Sequence, residues 1–401
     1  MTPWLSIVGL GEEGLPGLTP AAQSLLDDAQ VLIGGERHLA MVPDDGRERL
    51  TWPSPLSALV ADIESRRGQR VCILATGDPM HYGIGVTLAR RIPREEMIII
   101  PGVSAFSLAA ARMGWSLADV DCLTLHGRPL SIMASYLQPG RRLLLLSDGA
   151  HSPAEVSALL KTQGYGASPM TVLEHMGGER ERRMEGAAAD WDEQEGAAFN
   201  TIAVACEAAP GRVVLQRSPG LPDDAFRHDG LITKREVRAI TMSSLAPVPG
   251  QLLWDVGAGS GSIAIEWMRA APNGRAIAIE RVAARRGFIT ENATALGTPL
   301  LKIVDGTAPE AFEGLEAPDA IFIGGGLAEE ELLPAAWQAL KPGGRLVCNS
   351  VTLEGDRAVL DWQARHGGEL VRLAISRAAP LGSFNSWRPL APITQYAGCK
   401  Q

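Results

Sequence analysis

The stretch LLWDVGAGSGSIAIEWMR, Leu252–Arg269, reads as a buried strand, a glycine-rich turn and the opening of a helix. The strand Leu252–Val256 ends beside Asp255, and Gly257, Gly259 and Gly261 follow at every second position, with Ala258 and Ser260 between them. Glycines there let the chain turn sharply and let backbone approach a bound molecule. The helix from Ser262 points its positive N-terminus at the same place, which suits a carboxylate or phosphate. The spacing is G-x-G-x-G, not the G-x-G-x-x-G of dinucleotide binders. The next strand, RAIAIE, ends in Glu280, 23 residues after Gly257, where a carboxylate can bridge a ribose diol. The third ends in Asp305–Ala308, a second acidic strand end suited to an adenine amine. Strands and helices keep alternating to the end of the chain, which predicts a doubly wound sheet with a late strand or hairpin through PITQYAG.

Such a unit usually opens a domain, yet 251 residues precede it. At 401 residues the chain is too long for one ordinary core, and 46% hydrophobic with 21% charged residues is a globular balance. No apolar run reaches membrane-spanning length, and MTPWLSIVGLGEEG has no basic n-region, so neither a membrane span nor a signal peptide is expected. The five cysteines are scattered without CxxC or Cys/His spacing, which predicts reduced thiols in a cytoplasmic protein and no zinc site. Residues 1–208 carry 17 Lys and Arg against 26 Asp and Glu, and residues 209–401 carry 20 against 20. Neither half has the basic excess of a nucleic-acid binder.

The clearest boundary is EAAPGRVVLQRSPGLPDDAF, Glu207–Phe226, rich in proline and glycine and without amphipathic period. It divides the chain into residues 1–208, a linker at 209–222 and residues 223–401. Before it, WLSIVGLG, VLIGG, VCILATG, MIIIPG and RLLLLSDG read as strands that stop at Gly or Pro. TPAAQSLLDDAQ reads as a helix capped by Thr19 with Pro20 at its first position, and helices open at Ser104 and Ser152. TVLEHMGG and TIAVAC follow, with charged ERERRME between them. The whole is an α/β layer pattern.

The second half resembles the class I S-adenosylmethionine-dependent methyltransferases, whose cofactor carries an ammonium, a carboxylate, a ribose and an adenine. HDGLITKREVRAITMSSL, FIGGG (322–326) and KPGGRLVCNSVTLE (341–354) resemble the decarboxylating cobalamin-pathway subfamily, although GLIT stands where PGPT-like sequence is common. By that resemblance Thr233, Gly257, Ala258, Gly259, Ser260, Gly261, Glu280, Asp305 and Ala308 contact the cofactor. In the first half, IVGLGEEGLPGLT (7–19), LATGDPMHYGIG (74–85) and IPGVSAFSLAAARMG (100–114) are ordered and spaced like the signature loops of class III tetrapyrrole methyltransferases, a two-lobed fold. That resemblance implies a cofactor cleft lined by Leu10, Gly77, Asp78, Ser104 and Ala105, with Gly9 and Gly11 leaving room for the bound molecule. The capping of a helix is an alternative role for Ser104.

One family joins the two modules in this order: the fused precorrin-6Y methyltransferases (decarboxylating) of aerobic cobalamin biosynthesis, and nearly the whole chain resembles them. The resemblance implies methylation of precorrin-6Y at C-5 by the first half. The second half would methylate C-15 and decarboxylate the ring C acetate, giving precorrin-8. It implies two S-adenosylmethionine sites, a small-molecule tetrapyrrole as partner and a homo-oligomer, while the scattered cysteines and the charge balance lead to no metal and no nucleic acid being expected. No catalytic residue is identified. Arg281, Arg285, Arg286, Lys234, Arg235 and Arg388 are candidates for substrate carboxylates or for solvated surface. Arg180, Arg182 and Arg183 read as surface charge. His38, His81 and His126 fall near strand ends of the first half, and His81 is either a ligand contact or a structural histidine. Trp4, Trp254, Trp267 and Trp387 read as packing residues, with GSFNSWRPL (382–390) as an alternative substrate lid. An NAD-dependent oxidoreductase, an RNA or protein methyltransferase and a tetrapyrrole carrier remain as alternatives, disfavoured by the glycine spacing, the acidic first half and the intact strand-end acids respectively.

Overall fold

The computed structural model describes residues 3–52, 56–191 and 196–401, with the side chains of 56–59 excepted. The chain forms two compact units, residues 1–130 with 139–212, and residues 131–138 with 213–401.

In the first unit five parallel strands, β1 (Leu5–Leu10), β2 (Val31–Gly34), β3 (Glu48–Thr51), β4 (Val71–Thr76) and β5 (Met97–Ile100), lie in the order β3-β2-β4-β1-β5. Leu5 and Ile7 pack on one face and Val8 on the other, so β1 is buried on both sides and reads as a continuous apolar run. Because β4 and β5 flank β1, the loops that leave these three strands emerge side by side at one end of the sheet. The helix Pro20–Asp27 begins as its sequence predicts: Thr19 Oγ1 accepts from the Ala22 N–H at 3.2 Å and Pro20 follows. A second, mixed sheet runs β6-β7-β10-β8-β9, from β6 (Val120–Thr124), β7 (Arg142–Leu146), β8 (Pro169–Glu174), β9 (Arg182–Ala187) and β10 (Asn200–Ala205).

In the second unit one sheet has the order β13-β12-β11-β14-β15-β19-β16. Its strands are β11 (Leu252–Val256), β12 (Arg275–Ile279), β13 (Lys302–Val304), β14 (Ala320–Ile323), β15 (Arg345–Ser350), β16 (Glu369–Leu373) and β19 (Ile393–Cys399). The first five are parallel and β19 is inserted antiparallel between β15 and β16. Leu252, Trp254 and Val256 pack on one face of the sheet and Leu253 on the other. Strand order reverses at β11, so the switch point of this sheet sits at the glycine-rich turn.

The charged ERERRME stretch leads into an edge strand, Arg182–Ala187, whose arginines face Glu174 and Glu185. After Leu373 the chain leaves the sheet and forms a separate hairpin, β17 (Ser376–Leu381) with β18 (Phe384–Pro389). Two local expectations are corrected. Trp387 on that hairpin is 73% exposed and does not pack, whereas Trp254 and Trp267 are buried. The stretch 213–222 belongs to the second unit: Leu221 is buried, and the N–H groups of Gly220 and Leu221 donate to Glu266 at 2.8 and 3.0 Å. No helix among the described residues is long and apolar enough to cross a membrane.

Candidate functional sites

Each unit gathers its sequence motifs at the carboxyl ends of its central strands. In the first unit the three loops are knitted through backbone. Gly77 N–H donates to the Leu10 carbonyl at 3.2 Å, and Gly102 N–H donates to the Gly77 carbonyl at 2.9 Å. A Cβ on Gly9 would lie 1.9 Å from the Gly77 oxygen and 2.2 Å from the Gly102 nitrogen. The sequence expectation for Gly9 is therefore corrected: its missing side chain makes room for two neighbouring loops, not for a ligand. A Cβ on Gly11 would meet the Glu13 side chain.

Below these loops lies a cavity of about 830 Å³ within the first unit. Gly77, Asp78, Ser104 and Ala105 line it; Leu10 does not, its side chain being buried in the sheet and only its carbonyl engaged by Gly77. Asp78 Oδ1 accepts from the Met80 N–H at 2.8 Å, which closes the Gly-Asp-Pro turn. Ser104 caps the helix Ala105–Met113 by accepting from the Ser107 N–H at 3.1 Å. His38, His81, His126 and His175 all line the cavity. No lysine or arginine does so among the described residues. The His81 ring sits 4.6 Å from that of Phe106 and 5.1 Å from that of Tyr82. Burial, with Arg37 alongside, pushes the His38 imidazole down to about 4, so the ring is neutral. Its Nε2 lies 2.9 Å from Arg37 Nη2, and its buried Nδ1 has no partner. Sequence reasoning missed Glu12, Arg37 and His175 here, because a lone histidine after a strand carries no spacing signal.

In the second unit Gly257, Gly259 and Gly261 have φ of 70°, 58° and 77°, the left-handed region that glycine enters without strain. The N–H groups of Gly257 and Ala258 both donate to the Ile279 carbonyl, at 3.0 and 3.1 Å, so the turn is pinned to the end of β12. Glu280, 4% exposed, accepts from Gly259 N–H and Val282 N–H, both at 2.9 Å. Asp255 is buried beneath the turn, accepting from the Ala264 N–H at 3.0 Å. Burial pushes its carboxyl up to about 7; that hydrogen bond opposes the rise and the nearby Glu280 adds to it. The Ser260 hydroxyl is buried with no partner. The segment before the helix Arg235–Leu245 closes over the turn: a Cβ on Gly259 would lie 3.8 Å from the Leu231 carbonyl. Thr233 in that segment is half-buried, and its carbonyl accepts from Arg238. Asp305 is 68% exposed and pairs with Arg286 at 2.7 Å, while Arg286 also donates to the Glu280 and Arg281 carbonyls. Ala308 packs half-buried beside the same strand end. Of the candidate arginines, Arg285 is likewise paired, with Asp229 at 2.9 Å, and Arg388 lies exposed on the hairpin.

The residues of both sites fit S-adenosylmethionine. In the second unit an open glycine turn at a helix N-terminus, an orphaned serine hydroxyl and a buried carboxylate with spare lone pairs suit its charged amino-acid end and its diol. In the first unit an unpartnered imidazole N–H and a capped helix start face a cavity of ordinary cofactor size. Among the described residues no group of three or more His, Cys, Asp or Glu could hold a metal ion.

Comparison with known proteins agrees with this division. The family described as tetrapyrrole (corrin/porphyrin) methylases matches residues 5–192, and the precorrin methyltransferase domain family matches residues 224–400. A precorrin-6Y C(5,15)-methyltransferase [decarboxylating] of Sinorhizobium sp is 46% identical over 401 residues, covering 100% of this chain and 97% of its own. Two shorter relatives are named for single reactions. A cobalt-precorrin-7 C(5)-methyltransferase of Salmonella typhimurium is 36% identical over 44% of this chain and 88% of its own. A probable cobalt-precorrin-6B C(15)-methyltransferase (decarboxylating) of Pyrobaculum aerophilum is 33% identical over 45% of this chain and 97% of its own. With strand-end sites in both units and that match along its whole length, the chain belongs to the precorrin-6Y C(5,15)-methyltransferase (decarboxylating) family.

Proposed function

We propose that this chain methylates precorrin-6Y at C-5 and C-15 and decarboxylates the ring C acetate, giving precorrin-8. Residues 1–208 carry out the C-5 transfer. Residues 223–401 carry out the C-15 transfer and the decarboxylation, and each half holds its own S-adenosylmethionine. The observation that carries this reading is a complete glycine-built strand-end site in each unit, at positions 9, 77 and 102 in one and 257, 259 and 261 in the other. The existence of separate C(5) and C(15) relatives, each covering less than half of this chain, supports the same division. A cytoplasmic homo-oligomer is the proposed working form.

When bound, S-adenosylmethionine supplies a methyl group already activated on a sulfonium with a neutral leaving group. The protein's part is then chiefly positioning. In the second unit the N–H groups at the start of the helix Ser262–Ala270 receive the cofactor carboxylate, Glu280 holds the ribose and Thr233 closes over the turn. In the first unit Asp78, Ser104 and Ala105 hold the cofactor at one end of the cavity, leaving the imidazole-lined remainder for the macrocycle. Loss of carbon dioxide needs an electron sink, which protonation of the conjugated ring provides.

Calorimetric titration of the full chain with S-adenosylmethionine tests the reading. Two sites per chain are expected, falling to one in Asp78→Ala and one in Glu280→Ala, with C-5 methylation lost in the first and C-15 methylation in the second. Equal loss of both methylations in either variant, with the other site still binding, overturns the division.

A further inference from the structure

The cavity of the first unit contains a carboxylate–imidazole pair from two different sheets. Glu12 lies in the loop after β1 and His175 directly follows β8. Glu12 Oε2 is 2.9 Å from His175 Nδ1, with side-chain exposures of 7% and 14%. Glu12 Oε1 accepts from the Arg37 guanidinium. Burial works to raise the Glu12 carboxyl, but the hydrogen bond to His175 and the charge of Arg37 outweigh it and hold it below the usual carboxylate range. An anion at 2.9 Å fixes the ring's tautomer: Nδ1 carries a proton and donates to it, since a bare lone pair there would face the carboxylate oxygen. Arg180 Nη2 reaches the same Nδ1 only at 3.5 Å. Nε2 is then the acceptor nitrogen of a ring that lines the cavity.

Two further observations single this pair out. His175 has φ of 46°, a left-handed conformation uncommon outside glycine and enriched at functional sites. The other pair lining the cavity, His126 with Asp148 at 3.0 Å, is 81% and 48% exposed, so water competes for both partners. His38, the remaining imidazole near Glu12, is neutral and already accepts from Arg37.

We propose that His175, oriented by Glu12, is the general base of the first unit, removing the proton that the macrocycle sheds once its carbon has been methylated. This rests on the reading of the first unit as a carbon methyltransferase. The new carbon–carbon bond takes an electron pair from the macrocycle's π system, and the broken carbon–sulfur pair stays on sulfur. The macrocycle thereby gains one positive charge. It is discharged when the proton on the methylated carbon, or on a conjugated ring nitrogen, passes to His175 Nε2 and the bonding pair returns to the ring. The imidazolium, paired with Glu12, then releases the proton to solvent. His175 is the catalytic residue and Glu12 a positioning residue; the arrangement is that of a base held in one tautomer by a carboxylate.

The test uses the full chain with precorrin-6Y and S-adenosylmethionine, following C-5 and C-15 methylation separately. His175→Gln should lower the C-5 rate by about 10²–10⁴-fold, the range for a positioned general base. Cofactor affinity, stoichiometry and C-15 methylation should stay unchanged. Nitrogen-15 NMR of the histidine rings in the ligand-free wild type should show His175 protonated at Nδ1, shifting to a mixture of tautomers in Glu12→Gln. A C-5 rate within about threefold of wild type in His175→Gln refutes the assignment of a general base. A wild-type ring protonated at Nε2 does so too, and that measurement stands even if the variant fails to fold. If Asp78→Ala leaves C-5 methylation intact, the reading of the first unit falls; if Asp78→Ala abolishes it and His175→Gln does not, only the base assignment falls.

Discussion

Replacement of Arg238 by methionine should cost the second unit much of its stability. The Arg238 side chain is wholly buried. Its Nε donates to Glu266 Oε1 at 2.9 Å, its Nη1 to Asp223 Oδ1 at 2.8 Å and to the Thr233 carbonyl, and its Nη2 to the Leu221 carbonyl. Methionine fills most of the stem but donates nothing. Removing one partner of a buried ion pair costs about 3–5 kcal/mol, because the other charge stays buried without compensation. Here Glu266 keeps the N–H groups of Gly220 and Leu221, which places the loss near the lower end, about 3 kcal/mol. For a unit of this size that is a fall in Tm of about 6–12 °C. Differential scanning calorimetry of the full chain reads the shift, and hydrogen exchange assigns it to residues 213–401. The double variant Arg238→Met, Glu266→Gln should recover part of the loss, since Glu266 no longer leaves a buried charge without its cation and Asp223 keeps Arg377. A drop of less than about 2 °C in the single variant would refute the reasoning that this cation is the keystone of the segment from Leu221 to Thr233.

Asp255 gives a pH signature. Its carboxyl is pushed from 3.8 to about 7 in the folded chain, so between those values the unfolded chain is ionised while the folded one still holds the proton. Through this group the stability of the second unit should therefore fall as pH rises from about 4 to 7, by about 4 kcal/mol in all, with no further contribution above; His38 acts in the opposite sense on the first unit. Asp255→Asn should flatten that slope in urea titrations at pH 5 to 8; an unchanged slope would show that another group is responsible. Gly9→Ala must displace the loops at Gly77 and Gly102, so calorimetry should find the first cofactor site lost and the second intact. Thiol titration of the native chain should find Cys399 reacting fast. Cys72, which burial pushes up to about 12, and Cys348 should react only on unfolding; rapid reaction of either would contradict its burial.

The strands and glycine turns were legible in the sequence because their constraints are local. A strand buried on both faces shows as an unbroken apolar run, as in Leu143–Leu145, and a left-handed turn shows as glycine, as at 257, 259 and 261. Strands with exposed residues on both faces were not legible: Glu48–Thr51 and Arg182–Ala187 are edges, so no alternation marks them. The exposed hairpin carrying Trp387 misled for a related reason, since an aromatic residue in a strand-like run usually packs. In the candidate sites, Asp78 and Glu280 were found from their strand ends. Glu12 and His175 lie 163 positions apart, and only the meeting of the two sheets joins them. The true reason for Gly9 is equally non-local.

That reason bears on how the first unit can change. Because the backbones at 9, 77 and 102 touch without side chains between them, the three loops are one inherited part, not three adjustable ones. A mutation walk that alters a single loop meets an immediate barrier from the other two. Diversification in this fold is therefore confined to the cavity's far walls, and any transplant of its binding properties into another scaffold must carry all three strand ends together.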